Sequence, residues 1–245
     1  NILSINLIRL IVSFTSILKS INKDQMSQNL KKNGWHLIEQ NIDDNFISST
    51  IKDIDVLSKE EGVEINHNGT EHRIWKSNLK SKYIEQFFNF SNTVISSIVE
   101  SEKIAYDILA IRNLRLKNFN DEKSTKLRWH LDSFNNQLKV FLFLSDVDEK
   151  SGPFEVIPKT HKKLFKIFNM FPAGYFKITD FLKKGGSRSY AALDDNIIKN
   201  IINKGYPVKS FLVKKGTLAV VDTSCIHRAK PLQIGSRYAL TSYYR

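Results

Sequence analysis

The sequence predicts a mainly β protein with flanking helices: a double-stranded β-helix (jelly roll) buttressed by N-terminal helices and carrying a long lid insertion. Three observations predict it. The first hundred residues place their apolar side chains at helical spacing, whereas short β-branched and aromatic runs take over from Tyr106 onward. Helices first and strands afterwards suit a sheet sandwich covered by helices. Residues 159–208 then separate two strand-rich blocks by more than a jelly-roll turn needs, and long loops in compact domains are usually functional.

Residues 1–26 read as an amphipathic helix. Leu3, Leu7, Leu10, Phe14, Ile17 and Ile21 recur at alternating four- and three-residue steps. Arg9, Ser13 and Lys19 interrupt the apolar run, so no integral membrane span is expected, and no small-residue cleavage site follows it. The helix is expected to pack on the barrel, with a homo-oligomer through this helix or peripheral membrane contact as the sharper readings. Residues 27–245 form one domain.

Within that domain a short strand is expected at 35–39 and a helix at 46–57, capped by the Asp43 region. A turn-rich connection follows at 62–69 and a second helix at 82–100. Strands are expected at 108–119, 128–132, 138–144, 154–157, 211–213, 217–222 and 238–244. The insertion contains Phe165, Phe168, Phe171, Tyr175 and Phe176, then a glycine turn bearing Lys183, Lys184 and Arg188, then a helix capped by Asp194 and Asp195. That many aromatics argue against disorder and for a lid over a substrate.

Composition narrows the partners. The formal net charge is +12 with a pI near 9.6, but the lysines are scattered through an Ile- and Asn-rich background without a nucleic-acid-binding motif. No nucleic-acid partner is expected. One cysteine, Cys225, excludes an internal disulfide framework and suits a reducing, cytoplasmic setting. As a single loop thiol it reads as filler rather than as a ligand.

The chemistry lies in a split set of residues. His130 and Asp132 sit in Arg-Trp-His-Leu-Asp-Ser, His227 in Cys-Ile-His-Arg-Ala, and Arg237 follows ten residues later. Residues i and i+2 of an extended chain point to one face, so His130 and Asp132 can share an ion while Leu131 packs behind. His227 must then arrive from a strand that is distant in sequence and adjacent in space. Two imidazoles and one carboxylate on one face of an ion, with the other face open, form the ligand set of non-haem Fe(II) oxygenases. A nearby arginine can hold a carboxylate through two parallel hydrogen bonds. Thr241 alternates onto the same strand face as Arg237. The strand before the metal pair carries Arg115 and Lys117 on one face, and Lys139 interrupts an otherwise apolar strand.

Three stretches resemble the phytanoyl-CoA dioxygenase family of Fe(II)/2-oxoglutarate-dependent oxygenases. They are Trp129-His-Leu-Asp with the apolar strand 138–144 and Ser151-Gly-Pro-Phe-Glu through Pro158-Lys-Thr-His161, the block from Lys215-Gly-Thr through His227 to Arg237, and Asn33-Gly-Trp-His-Leu-Ile38. Pro-Lys-Thr-His stands where that family usually reads Pro-Gly-Ser-His. The resemblance implies Fe(II) at His130, Asp132 and His227, which also carry the catalysis. It further implies a 2-oxoglutarate cosubstrate held by Arg237 with Thr241 and Arg115, and ascorbate stimulation. Substrate contacts are expected from Lys139, Lys117, Arg188 and Phe134. The implied reaction uses O2 to hydroxylate an aliphatic C–H of a small anionic metabolite, releasing succinate and CO2. Retention of Asp132 disfavours the halogenating members, which lack that carboxylate. A cupin-like metalloenzyme without oxoglutarate and a catalytically silent jelly-roll binding module remain as other readings.

Overall fold

The computed structural model describes residues 14–39, 42–66, 69–99, 102–115, 128–176 and 192–245. Lys117, Lys183, Lys184, Arg188 and residues 1–13, all named above, lie outside the described residues. Among those described, ten strands form two antiparallel sheets. The larger has the order β1-β8-β5-β10-β4-β3-β2, made of β1 (Trp35–Ile38), β2 (Glu64–Asn66), β3 (Glu71–Trp75), β4 (Asp107–Leu114), β5 (Leu138–Phe143), β8 (Leu218–Asp222) and β10 (Ser236–Tyr244). The smaller has the order β7-β6-β9, from β7 (Lys209–Ser210), β6 (Phe154–Val156) and β9 (His227–Ala229). Strands that are neighbours in space but far apart in sequence, such as β5 between β8 and β10, are what a jelly roll requires.

Period-2 alternation assigns the two faces of the large sheet. Val140, Leu142, Leu218, Val220, Tyr238, Leu240 and Tyr244 join one core with the helices. Three helices cover this face: α1 (Lys23–Asn33), α2 (Asp44–Leu57) and α3 (Lys82–Val99). Phe46 and Phe87 are buried to 2% exposure or less, each side chain contributing about 1.5–3 kcal/mol over an exposed position. Asp43 caps α2 by accepting from the amides of Asn45 and Phe46 at 2.7 and 3.1 Å. The helical stretch at 14–20 turns its apolar face into this same core. Phe14 stacks on Phe90 at 4.5 Å and meets Phe46 edge-on at 5.3 Å.

The opposite face looks between the sheets. It carries Phe141, Phe143, Ala219 and Val221, which pack with Val156, Phe154 and Phe211. Lys139, Arg237 and Thr241 share this parity, by the pairing of Lys139 with Tyr243 and of Thr241 with Phe141.

Several expectations are corrected. Residues 128–132 form no continuous strand; a single bridge joins His130 to His227. Residues 211–213 are likewise not a strand, and Val213 makes one bridge to Val147. The region 62–69 contains β2, and β3, which the sequence did not announce, pairs with it and with β4. The aromatic cluster of the insertion is divided, with Phe165 and Phe176 buried while Phe168 and Phe171 face solvent. A further helix, α4 (Asp195–Asn203), is capped as expected by Asp194, which accepts from the Asn196 amide.

Candidate metal centre

The three candidate ligands meet at the seam of the sandwich. Each of His130, Asp132 and His227 offers an atom within 4.8 Å of the others. The two imidazole Nε2 atoms lie 3.8 and 3.6 Å from the Asp132 carboxylate oxygens. The chain reaches this point because β8 ends at Asp222 and a tight turn carries it across to β9 of the small sheet. Asp222 builds that turn: its Oδ1 accepts from the amides of Gln137 and Ser224, and its carbonyl accepts from Cys225. The loop bearing Asp132 is tied to the same turn, since the Asp132 amide donates to the Thr223 carbonyl at 3.0 Å.

The imidazoles are oriented for a cation. His227 Nδ1 sits 2.9 Å from the Cys225 carbonyl and His130 Nδ1 2.9 Å from the Arg128 carbonyl. A carbonyl only accepts, so each Nδ1 must carry a proton, which turns each Nε2 toward the site as the nitrogen that would hold an ion. Phe154 stacks on the His227 ring at 5.3 Å. Burial, followed by His130, pushes His227 down to about 3, so it stays neutral. Burial alone would raise Asp132, but Lys139, His227 and His130 overrule it and hold the carboxyl well below the usual carboxylate range. Two Nε2 atoms turned toward an ionised carboxylate suit a divalent transition metal. The Cys225 thiol is not part of this set. Burial pushes it up to about 12, and its Sγ faces His161 and the Asn33 carbonyl.

Lys139 enters the pocket rather than reaching for the rim. Its ammonium lies 2.6 Å from Asp132 Oδ2 and 4.5 Å above the centre of the Tyr243 ring. Burial lowers its affinity for the proton, yet Asp132 and neighbouring groups reverse the balance and keep it charged.

Arg237 is placed at the start of β10, opposite Asn113 of β4. Its Nε and Nη2 donate to Asn113 Oδ1 at 3.3 and 2.9 Å, and Asn113 in turn donates to Glu71. No carboxylate lies within ion-pair distance of Arg237 among the described residues. Gly152 lets the 151–153 loop approach; with φ +68°, an added Cβ would stand 2.7 Å from the Lys230 carbonyl and 3.3 Å from Arg237 Nη1. Thr241 is buried, and its hydroxyl has no hydrogen-bond partner among the described residues. Four residues of strand separate the two by roughly 13 Å at about 3.3 Å per residue. Arg115 is exposed beyond the end of β4, with Nη1 3.4 Å from the Leu232 carbonyl, and is not brought to the metal residues. Phe134 is buried against Phe176 at 5.0 Å, in the cluster beneath the insertion.

Two supports of the site escaped sequence reasoning. Gly34, at φ +85°, leaves room for Cys225 and His161, because a Cβ there would meet Sγ at 2.4 Å. Its position before Trp35 was visible, but its neighbours were not. Lys166 is fully buried in the insertion, donating to the Phe134 carbonyl at 2.6 Å. A lysine inside an otherwise apolar helical run was the available signal. Burial pulls its ammonium down to about 8, against the opposing pull of Asp222 and Cys225. The folded protein then releases this proton near 8 and the unfolded chain near 10.5. Between those values the unfolded chain binds more protons, so this group makes stability rise with pH. Denaturant unfolding of wild type and Lys166→Met should diverge across that window by on the order of 3 kcal/mol. Parallel curves would refute the assignment.

No family model and no curated protein sequence matches the chain. Solved structures do match its fold. The non-heme alpha-ketoglutarate-dependent epimerase SnoN from nogalamycin biosynthesis aligns with a TM-score of 0.67 at 11% identity, over 91% of this chain and 82% of that one. EctD from S. alaskensis, solved with 2-oxoglutarate and 5-hydroxyectoine, gives 0.65 at 13% identity over 92% and 76%. HygX from Streptomyces hygroscopicus with iron bound gives 0.60 at 12% identity over 90% and 85%. At these identities the likeness establishes a shared jelly-roll fold that spans nearly the whole chain.

Proposed function

We propose that this protein is a non-haem Fe(II), 2-oxoglutarate-dependent oxygenase that hydroxylates an aliphatic C–H of a small anionic metabolite. The observation that carries the reading is the convergence of two inward Nε2 atoms and one ionised carboxylate at the seam of the two sheets. The likeness to SnoN, EctD and HygX supports it, since SnoN is alpha-ketoglutarate-dependent, EctD was solved with 2-oxoglutarate and HygX with iron. Iron held there would supply O2-dependent oxidation of the substrate, coupled to decarboxylation of the keto acid to succinate and CO2.

The protein's part is binding, orientation and exclusion of water. His130, Asp132 and His227 would hold the ion. Arg237, with Asn113 fixing its plane, binds the distal carboxylate of 2-oxoglutarate. The Thr241 hydroxyl, one strand pair from Lys139 and Tyr243, serves the end of the cosubstrate nearer the metal. Lys139 is the described cation closest to the ligand carboxylate and the group an anionic substrate would meet. Phe141, Phe143 and Phe154 line the space between the sheets and keep it dry.

The test is a metabolite panel incubated with the purified protein, Fe(II), ascorbate, 2-oxoglutarate and O2, with succinate measured. Substrate-stimulated succinate that disappears without iron or O2 is the expected outcome. Product turnover without succinate would instead favour a cupin-like enzyme independent of oxoglutarate. A hydroxyl in the product would distinguish hydroxylation from epimerisation, the reaction named for SnoN.

A further inference from the structure

One row of polar side chains runs across the inward face of the large sheet and ends on Arg237. Glu71 of β3 lies opposite Asn113 of β4, which lies opposite Arg237 of β10. Residues directly opposite each other on paired strands point to the same face, so the three side chains meet side by side. Asn113 Nδ2 donates to Glu71 Oε2 at 3.1 Å, and Asn113 Oδ1 accepts from Nε and Nη2 of Arg237 at 3.3 and 2.9 Å. The other oxygen of Glu71 accepts from Arg73 Nε at 2.6 Å. A carboxylate only accepts and a guanidinium only donates. The order of the amide between them is therefore fixed, with oxygen toward Arg237 and nitrogen toward Glu71.

The row answers a problem of buried charge. A guanidinium taken out of water needs a counter-charge. A carboxylate placed directly on Arg237, however, would occupy the donors that an incoming carboxylate needs. Glu71 stands one amide away instead. Burial pulls Arg237 below its ordinary value, and Glu71 opposes that pull from beyond ion-pair distance. Asn113 takes the side of the fork formed by Nε and Nη2. The end-on pair of N–H groups, on Nη1 and Nη2, makes no hydrogen bond among the described residues and has the geometry that a carboxylate accepts two-pronged. Arg73 holds Glu71 from the far side, which keeps the carboxylate from turning past Asn113 to close on Arg237 itself. The Glu71 side chain is only 10% exposed, so its charge is little screened by solvent.

We propose that Glu71 is a positioning residue for the cosubstrate-binding arginine: through the Asn113 amide it fixes the plane of the Arg237 guanidinium and leaves the end-on pair aimed at one carboxylate of a bound dicarboxylate. This rests on the reading of Arg237 as the group that holds 2-oxoglutarate. It makes β3 part of the cosubstrate site, although none of the three metal residues comes from that strand. Glu71→Gln is the informative substitution. Glutamine keeps the shape but has one carbonyl oxygen for two donors, Asn113 and Arg73, so one contact breaks and its amino group faces a donor.

The experiment is calorimetric titration of the full chain, loaded with Mn(II) in place of iron, with two keto acids. 2-Oxoglutarate carries the far carboxylate and 2-oxobutyrate lacks it. Glu71→Gln should weaken 2-oxoglutarate binding roughly tenfold, the scale of one hydrogen bond to a charged group, and leave 2-oxobutyrate binding unchanged. Equal weakening of both keto acids, or of neither, overturns the proposal, because a role limited to folding does not distinguish them. Tighter 2-oxoglutarate binding overturns it as well, since Glu71 would then only screen Arg237. Arg237→Lys separates the proposal from the reading beneath it. If that variant weakens 2-oxoglutarate and Glu71→Gln does not, Arg237 keeps its role and Glu71 loses its own. If the wild type binds both keto acids equally, or neither, the assignment of Arg237 falls and takes the proposal with it. Urea unfolding of the apo proteins gives a readout free of ligand. Glu71→Gln and Arg237→Met should be non-additive, the unfolding constant of the double variant departing about fivefold or more from the product of the single effects. Additive effects would show the two side chains uncoupled and overturn the proposal.

Discussion

Asp132→Ala should remove metal binding and succinate release together. Partners outside the ligand set typically cost about 10–100-fold in metal affinity when removed, so loss of a ligand should exceed about 100-fold. The same substitution has a second effect independent of metal. It leaves Lys139, whose side chain is 12% exposed, without the carboxylate that sits 2.6 Å away. Breaking a buried pair from one side costs about 3–5 kcal/mol, because the remaining charge stays desolvated. Apo Asp132→Ala should therefore unfold at markedly lower denaturant than wild type. Asp132→Ala/Lys139→Met removes both charges and should recover most of that stability without recovering the metal. Calorimetric titration with Fe(II) under anaerobic conditions reads the first effect, and urea unfolding of the apo proteins reads the second. A variant that keeps wild-type iron affinity would remove Asp132 from the ligand set.

Arg237→Lys should weaken 2-oxoglutarate binding while leaving the metal in place. Lysine preserves the charge but presents no planar fork, so it can neither pair two-pronged with a carboxylate nor lie flat against Asn113. The expected loss is about 1.5–3 kcal/mol, the scale of a hydrogen bond to a charged group, which is roughly 10- to 150-fold in affinity. Fe(II) affinity should hardly change, since the guanidinium contacts Asn113 and none of the three ligands. Succinate release against 2-oxoglutarate concentration measures the first quantity. Unchanged 2-oxoglutarate affinity would show that the cosubstrate carboxylate lies elsewhere. Asn113→Ala offers a milder version, because it frees the guanidinium to rotate without removing it.

The sequence by itself determined the elements with strong periodicity and the chemical types at the site. The helices α2 and α3, the capping of α2 at Asp43 and the apolar strands β5, β8 and β10 follow from local patterns, because 3.6- and 2-residue periods are written in the chain itself. His130 and Asp132 were legible as a pair for the same local reason. Tertiary structure decided what depends on residues far apart in sequence. Residues 128–132 look like a strand, but β9 offers them only one bridge, at His130 and His227. Arg115 has the parity of an inward residue, yet β4 ends at Leu114 and leaves it exposed. Lys139 could be predicted to face inward, whereas its choice of Asp132 required β5 to lie under the metal loop. Arg237 and Thr241 share a strand face, but only the fold shows the guanidinium held against Asn113 and the Thr241 hydroxyl buried without a partner among the described residues. The aromatics of the insertion were equal in the sequence. Burial separated Phe165 and Phe176, which complete a core with Phe134, from Phe168 and Phe171, which face outward. Local patterns fix which residues share a face, but what that face meets is set by contacts between segments a hundred residues apart.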